Sequence, residues 1–461
     1  QRWRQPIMYS KLKTLRSKWC LTLLLSVIAI GASSSVDAQN DGSEQNQTGR
    51  AGTFAIVGAR VVTVSGATIE NGTVVIQNGK IAAVGSGIAV PAGAEKIDGK
   101  GLSVFPGMID AGTKIGLSEI GQGVNASVDV SEVGTMNANA KAIKGINPHS
   151  VYVNVTRANG ITTVMSFPIG GLIAGQGAII NLNGATQDEM AVVREFGLVI
   201  NFPRISTGGG FGGRFGGPPL EFSEAVKRRD AQIDELKTLF TASQNYLRAR
   251  DAYAKDKTLP YVAEDQRYDA MEPYIRGEKP MIFIAERERD IRSVAKFVGE
   301  MKLKGIIFGG QEAWKAADDL KKYNISVIYT NIYALPVRDD DPYDELFEAP
   351  MKLQAAGVKF CIGTGSENAV VRDLPYQAGL AGAFGLSKDD ALKSVTLYAA
   401  QVLGVDSQMG SIETGKMANL VVADGDILDA RTNVKYVFIG GRMVPLTSRH
   451  TRLFDSFKDR K

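Results

Sequence analysis

Val104-Phe105-Pro106-Gly107-Met108-Ile109-Asp110-Ala111 is the stretch on which the fold turns. It is a short apolar run, and it stands between two kinds of pattern. Before it, from Phe54 to Leu102, short strands alternate with tight turns. Strands are expected at 54–57, 60–64 and 73–77, with a return strand at 80–84 after Asn78-Gly79, a pair that favours positive φ at both positions. After it, strand-like and helix-like stretches alternate. The strands are expected at 104–110, 161–166, 178–182, 196–202, 281–285, 305–308, 325–330 and 358–363. The helices are expected at 150–159, 221–256, 261–276, 288–303, 312–323, 344–356, 376–385 and 388–402. This alternation over residues 106–405 implies an α/β fold, a (β/α)8 TIM-like barrel. The rival is an open doubly wound sheet, but no Gly-x-Gly-x-x-Gly lies on the first strand-to-helix turn to favour it.

The far end of the chain returns to the first pattern. Residues 419–423 and 434–439 read as strands, followed by Gly440-Gly441 as a turn and a short strand from Arg442. Neither terminal β segment has enough strands to bury a core alone. They are therefore expected to join in a small composite β-sandwich domain built from both ends of the chain. The expected organisation is a signal peptide at 1–38, a flexible leader at 39–52, the first part of the β domain at 53–103, the barrel at 104–410, the second part of the β domain at 411–446, and a basic tail at 447–461.

The signal peptide is read from Met8 as start, four basic residues from Lys11 to Lys18, a 14-residue apolar run from Trp19 to Ala32, and Val36-Asp37-Ala38 as the cleavage site. The run is shorter than the ~20 residues of a membrane span. The protein is expected to be periplasmic or secreted, with no transmembrane span once the signal is removed. The whole chain carries +4; six Lys/Arg and one Asp leave with residues 1–38, so the remainder carries −1. No basic face argues for nucleic acid. One cysteine, Cys361, then remains, so no internal disulfide is expected. With 22% charged and 44% hydrophobic residues, the composition is globular and excludes disordered, collagen-like and disulfide-scaffold classes.

The stretch 104–111 resembles the way into the barrel in the amidohydrolase superfamily. The far end agrees: Ala399-Ala400-Gln401-Val402-Leu403-Gly404, then Gly410 to Val422, resembles that superfamily's return from barrel to β domain, nearest its imidazolonepropionase-like and cytosine-deaminase-like members. The resemblance covers essentially the whole chain after residue 38. It implies a metal-dependent hydrolase barrel in which metal-activated water attacks amide, cyclic amide or related C–N bonds. It also implies zinc, held by imidazoles and a carboxylate at strand ends. Those positions carry other residues here. Where the family has His-x-His, this chain has Gly112-Thr113-Lys114. The next histidine position is Ile284, before Ala285-Glu286-Arg287, and the end of the strand 305–308 leads to Gly309-Gly310. Gly363-Thr364-Gly365-Ser366 places Gly365 where the catalytic aspartate would stand. Glycine and isoleucine offer zinc no donor, and a charged lysine has no lone pair. The whole chain has two histidines, His149 and His450. No metal and no cofactor are therefore expected.

Five residues remain as candidates for chemistry. Lys114 at a strand end would place its charge where the metal is missing, paired with Glu286. His149, in Asn147-Pro148-His149-Ser150 before a helix, would face the barrel mouth as an anion ligand or base. Ser366 and Glu367 close the last strand, and a serine nucleophile would need His149 as its base. Asp339-Asp340-Asp341 reads as a solvated loop without the spacing of a calcium loop, and His450 as a surface residue. The stretch 208–219 is a glycine-rich loop, either a mobile insertion or a lid, and 221–256 an amphipathic surface helix. Two functions are expected: a non-catalytic protein that binds a small-molecule ligand or a homologous subunit, or an exported hydrolase with an altered, metal-independent site.

Overall fold

The computed structural model describes residues 47–119, 127–208, 220–330, 332–336, 338–365 and 368–460. The expected signal peptide, the start of the leader, positions 209–219 of the glycine-rich stretch, and Ser366 with Glu367 lie outside them.

Two eight-stranded sheets organise the described chain. The first takes β1 (Phe54–Val61), β2 (Ile69–Gln77), β3 (Lys80–Ser86), β4 (Glu95–Asp98) and β5 (Ser103–Pro106) from one end of the sequence. The other end supplies β14 (Leu420–Ala423), β15 (Val434–Ile439) and β16 (Arg442–Val444). The order is β16-β15-β14-β5-β1-β2-β3, with β4 beside β1. The two halves are stitched where β14 runs antiparallel to β5, Leu420 opposite Pro106 and Ala423 opposite Ser103. Asn78 and Gly79 both take positive φ in the β2–β3 hairpin, as the turn chemistry requires. Hydrogen bonding makes this one continuous path, yet it curls on itself. Phe54 of β1 and Phe438 of β15 meet edge to face at 5.2 Å although two strands separate them. A flat sheet would hold them ~14 Å apart. Ile56, Val74, Ile76, Val104, Leu420 and Val422 fill the space between.

The second sheet is the barrel, in the order β13-β12-β11-β10-β9-β8-β7-β6. Its strands are β6 (Met108–Thr113), β7 (Ile161–Ser166), β8 (Ile173–Asn181), β9 (Ala191–Asn201), β10 (Met281–Ala285), β11 (Gly305–Gly309), β12 (Ser326–Tyr329) and β13 (Phe360–Ile362). Two details differ from the sequence expectation. The stretch 104–110 is divided at Gly107, so that β5 belongs to the first sheet and the barrel begins at Met108. And β8 runs antiparallel to both β7 and β9, while the other neighbours are parallel. The reason is loop length. Six residues separate β7 from β8, and nine, including the turn Gln187–Met190, separate β8 from β9. A parallel return needs a crossover of about a dozen residues or more.

Helices pack outside the barrel strands. The longest, Phe222–Lys255, buries Leu236, Phe240 and Leu247 along one stripe. The others include Val151–Arg157, Gln266–Ile275, Glu288–Met301, Glu345–Ala355 and Leu374–Ala383. A polar weld joins barrel to β domain. Asn419, buried just before β14, donates through Nδ2 to Thr163 Oγ1 at 3.0 Å and Asn181 Oδ1 at 2.9 Å. Its Oδ1 accepts from Gly440 N at 2.7 Å, and its carbonyl from Gly107 N at 2.8 Å. Satisfying every polar atom lets this asparagine sit in a dry interface.

Candidate functional site

Barrel chemistry gathers where parallel strands end. Here those ends are Thr113-Lys114 after β6, Phe167 after β7, Asn201 at the end of β9, Glu286 after β10, Gly309-Gly310 at β11, Thr330 after β12, and Gly363-Thr364-Gly365 after β13.

The first strand end is closed by an aromatic pair. Gly112 is buried, and a Cβ placed there would overlap Cε2 of Phe308 from β11. The Phe308 ring stands edge to face against Phe167, with centroids 4.9 Å apart. Ile109, Ala111, Ile282, Ile306 and Ile328 continue the same apolar cluster through the barrel interior. An imidazole at position 112 would have to occupy the volume that this phenyl ring fills. The end of β11 is closed in another way. Gly309 takes φ +104°, and a Cβ there would overlap the carboxylate of Glu286. Glu286 Oε2 accepts from Gln311 N at 3.2 Å, and its carbonyl accepts from Glu312 N at 2.8 Å. Glu286 thus lies against the loop after β11, and the described ion pairs do not include one between it and Lys114. Lys114 is half-buried, and among the described residues no carboxylate lies within ion-pair distance of its ammonium.

Asp110 is the polar group that the sequence reading passed over. It lies on β6, fully buried, and faces the end of β13. Its Oδ2 accepts from Thr364 Oγ1 at 2.5 Å, both oxygens accept from Thr364 N at 3.3 Å, and Oδ1 accepts from Gly112 N at 3.1 Å. β6 and β13 are the two ends of the sheet path, so this carboxyl ties the barrel seam. Burial pushes its pKa up to about 7, against the lowering effect of the Thr364 and Gly112 hydrogen bonds. Cys361 on β13 is buried beside it, and its thiol pKa is raised by burial and by the Asp110 charge. The signal was present in the sequence: an aspartate inside an all-apolar strand must find a partner.

The other candidates are dispersed. The His149 side chain is exposed, and its backbone N–H donates to Asn147 Oδ1 at 2.9 Å. Ser150 Oγ caps the helix Val151–Arg157 through Tyr152 N at 3.3 Å. His450 is exposed with Nδ1 3.2 Å from Arg372 Nη1. In the acidic loop, Asp341 pairs with Arg338 at 3.5 Å. Ser366 and Glu367 lie outside the described residues, so a serine arrangement with His149 has no geometry to report. A cavity of about 850 Å3 opens at the end of β9, lined by Asn201, Phe202, Arg204, Arg228 and Gln232 among others. Neither guanidinium has an ion-pair partner among the described residues.

Among the described residues, no group of three or more His, Cys, Asp or Glu side chains converges to hold a metal ion. With Phe308 in the space of the first ligand and Asp110 engaged at the seam, the described residues do not fit the zinc ion that the resemblance implies.

A family model described as the amidohydrolase family matches residues 299–444. A dihydroorotase from Trichlorobacter lovleyi is 32% identical over 152 residues, which is 31% of this chain and 34% of that protein, so the match spans about a third of the relative's length. The crystal structure of an amidohydrolase from Thermotoga maritima MSB8 superposes with a TM-score of 0.74 at 26% identity, covering 85% of this chain and 99% of that one. Molinate hydrolase shares the fold, with a TM-score of 0.52 at 18% identity over 87% of this chain and 96% of that one. Residues 299–444 thus match the amidohydrolase family, and the described fold, a TIM-like barrel with an added sheet domain, is similar to that of an amidohydrolase over 85% of the chain.

Proposed function

We propose that this chain is an exported, non-catalytic member of the superfamily that binds a small molecule at the barrel mouth and does not carry out metal-assisted hydrolysis. The observation that carries the reading is the Phe308 ring in the space beside Gly112. A metal-dependent barrel needs an open, polar strand end there, and an apolar ring removes both the room and the donor. The cavity beside β9, with Arg204 and Arg228 on its wall, supports binding of an anionic ligand at the same end of the barrel. Export rests on the three-part pattern of residues 1–38.

The metal-independent alternative needs a general base. Asp110 titrates in the useful range, but a base must reach the substrate or a water within hydrogen-bond distance, and Asp110 is sealed from solvent. Of the other strand-end groups, Lys114 supplies no base while charged, and the Glu286 carboxylate lies against the loop after β11, where it accepts from Gln311 N.

The test is elemental analysis after mild purification, alongside turnover of dihydroorotate, other cyclic amides and dipeptides with and without chelator. The expected outcome is no stoichiometric zinc and no turnover above buffer. About one zinc per chain with chelator-sensitive hydrolysis would overturn the reading, as would turnover that chelator leaves intact.

A further inference from the structure

The last described helix, Arg449–Phe457, buries none of its side chains, and it meets the fold through polar groups such as His450, 3.2 Å from Arg372. It is nevertheless well formed. Ser448 and Thr451 make a reciprocal capping box, Thr451 N to Ser448 Oγ at 3.3 Å and Ser448 N to Thr451 Oγ1 at 2.8 Å. A helix whose ends are satisfied but whose body touches no core has an apolar face awaiting a partner.

That face is Leu453, Phe454 and Phe457, which are 47%, 67% and 48% exposed. At ~100° per residue they span a sector of roughly 100°. Basic residues border it on both sides: Arg449 and Arg460 on one, Lys458 on the other. Two of these cations stand beside the rings, Lys458 Nζ 5.9 Å from the Phe454 centroid and the Arg460 guanidinium 4.7 Å from that of Phe457, and Lys458 also pairs with Asp455 at 2.9 Å. Between 449 and 460 four basic residues stand against two acidic ones. Aromatic groups in the centre and long cations on both flanks match one surface, an anionic bilayer. Rings enter the acyl boundary while the ammonium and guanidinium groups extend to headgroup phosphates. A groove on another protein would match the apolar sector but give no reason for cations on both borders.

We propose that the helix Arg449–Phe457 docks this protein on an anionic lipid surface, lying in the headgroup plane without crossing it. Among the described residues no helix is long and apolar enough to span a membrane. The helix is already formed, so no folding cost attends binding.

The test is co-sedimentation of the full chain with extruded vesicles, either phosphatidylglycerol and phosphatidylcholine in equal parts or phosphatidylcholine alone. The variants are Phe454→Ser with Phe457→Ser, and Arg449→Glu with Arg460→Glu. All four positions are exposed, and thermal melting checks that the fold is kept. The expected result is preference for the anionic vesicles, weakened by 0.5 M NaCl, with partition at least tenfold lower in either double variant. Equal binding by all three proteins would overturn the proposal and place any membrane affinity elsewhere in the chain. No binding to either vesicle would also overturn it. So would variants that change self-association or capture of a protein partner while vesicle binding stays the same.

Discussion

Asp110 carries a pH dependence whose sign follows from its surroundings. Its folded pKa, about 7, lies above the ordinary 3.8 because burial disfavours the carboxylate more than Thr364 and Gly112 favour it. Below pH ~4 the group is neutral in both states and this contribution to stability is complete. As pH rises the unfolded chain ionises first, and stability is lost until the folded group also ionises near pH 7. The rise spans about three pH units at ~1.4 kcal/mol each, so the loss is on the order of 4 kcal/mol at most. Asp110→Asn keeps the neutral form at every pH. The difference in unfolding free energy between the two proteins should therefore move in the variant's favour between pH 4 and 8, and urea titrations across that range would measure it. A flat difference would show that another group sets the seam. Gly112 makes the opposite point, since its lack of a side chain leaves room for Phe308.

At the scale of elements, the helix Phe222–Lys255 illustrates how a charged sequence still finds its place. Half of its residues are exposed, and its anchor is the stripe Leu236, Phe240 and Leu247. Phe240 meets Phe297 of the helix Glu288–Met301 edge to face at 5.3 Å, and Phe297 in turn packs on Phe283 of β10 and Phe202. Removing the first ring empties a fully buried site. Phe240→Ala should lower stability by about 3–5 kcal/mol, seen as a lower urea midpoint with an unchanged slope. A loss under about 1 kcal/mol, the range of surface changes, would mean that the long helix is not anchored there. β8 follows a different rule, because the short connections before and after it decide its direction whatever its own side chains prefer.

At the scale of the whole molecule, the two ends of the chain depend on each other. β14 lies between β5 and β15, and Asn419 bonds to both the barrel and the β15–β16 turn. Deleting residues 411–461 would strip β5 of one of its two neighbours and open the cluster around Phe54, Val104 and Ile56 to water. The truncated chain should aggregate on expression, whereas a soluble product with a cooperative melt would count against this architecture. Much of this plan was legible in the sequence. Hydrophobic period and turn residues are local signals, so the eight barrel strands and the Asn78-Gly79 hairpin could be placed from neighbours alone. The lack of imidazoles at Gly112, Ile284 and Gly365 was equally a matter of residue identity. The sequence by itself therefore determined the strand and helix plan, the resemblance to the amidohydrolase superfamily and the poverty of metal donors. Only the tertiary structure decided that Asp110 would tie the seam to Thr364, 254 residues away, and that Phe308 would fill the space beside Gly112. Contacts across a closed barrel depend on which side chains share a layer, and that layering is set by strand stagger and packing rather than by any local pattern.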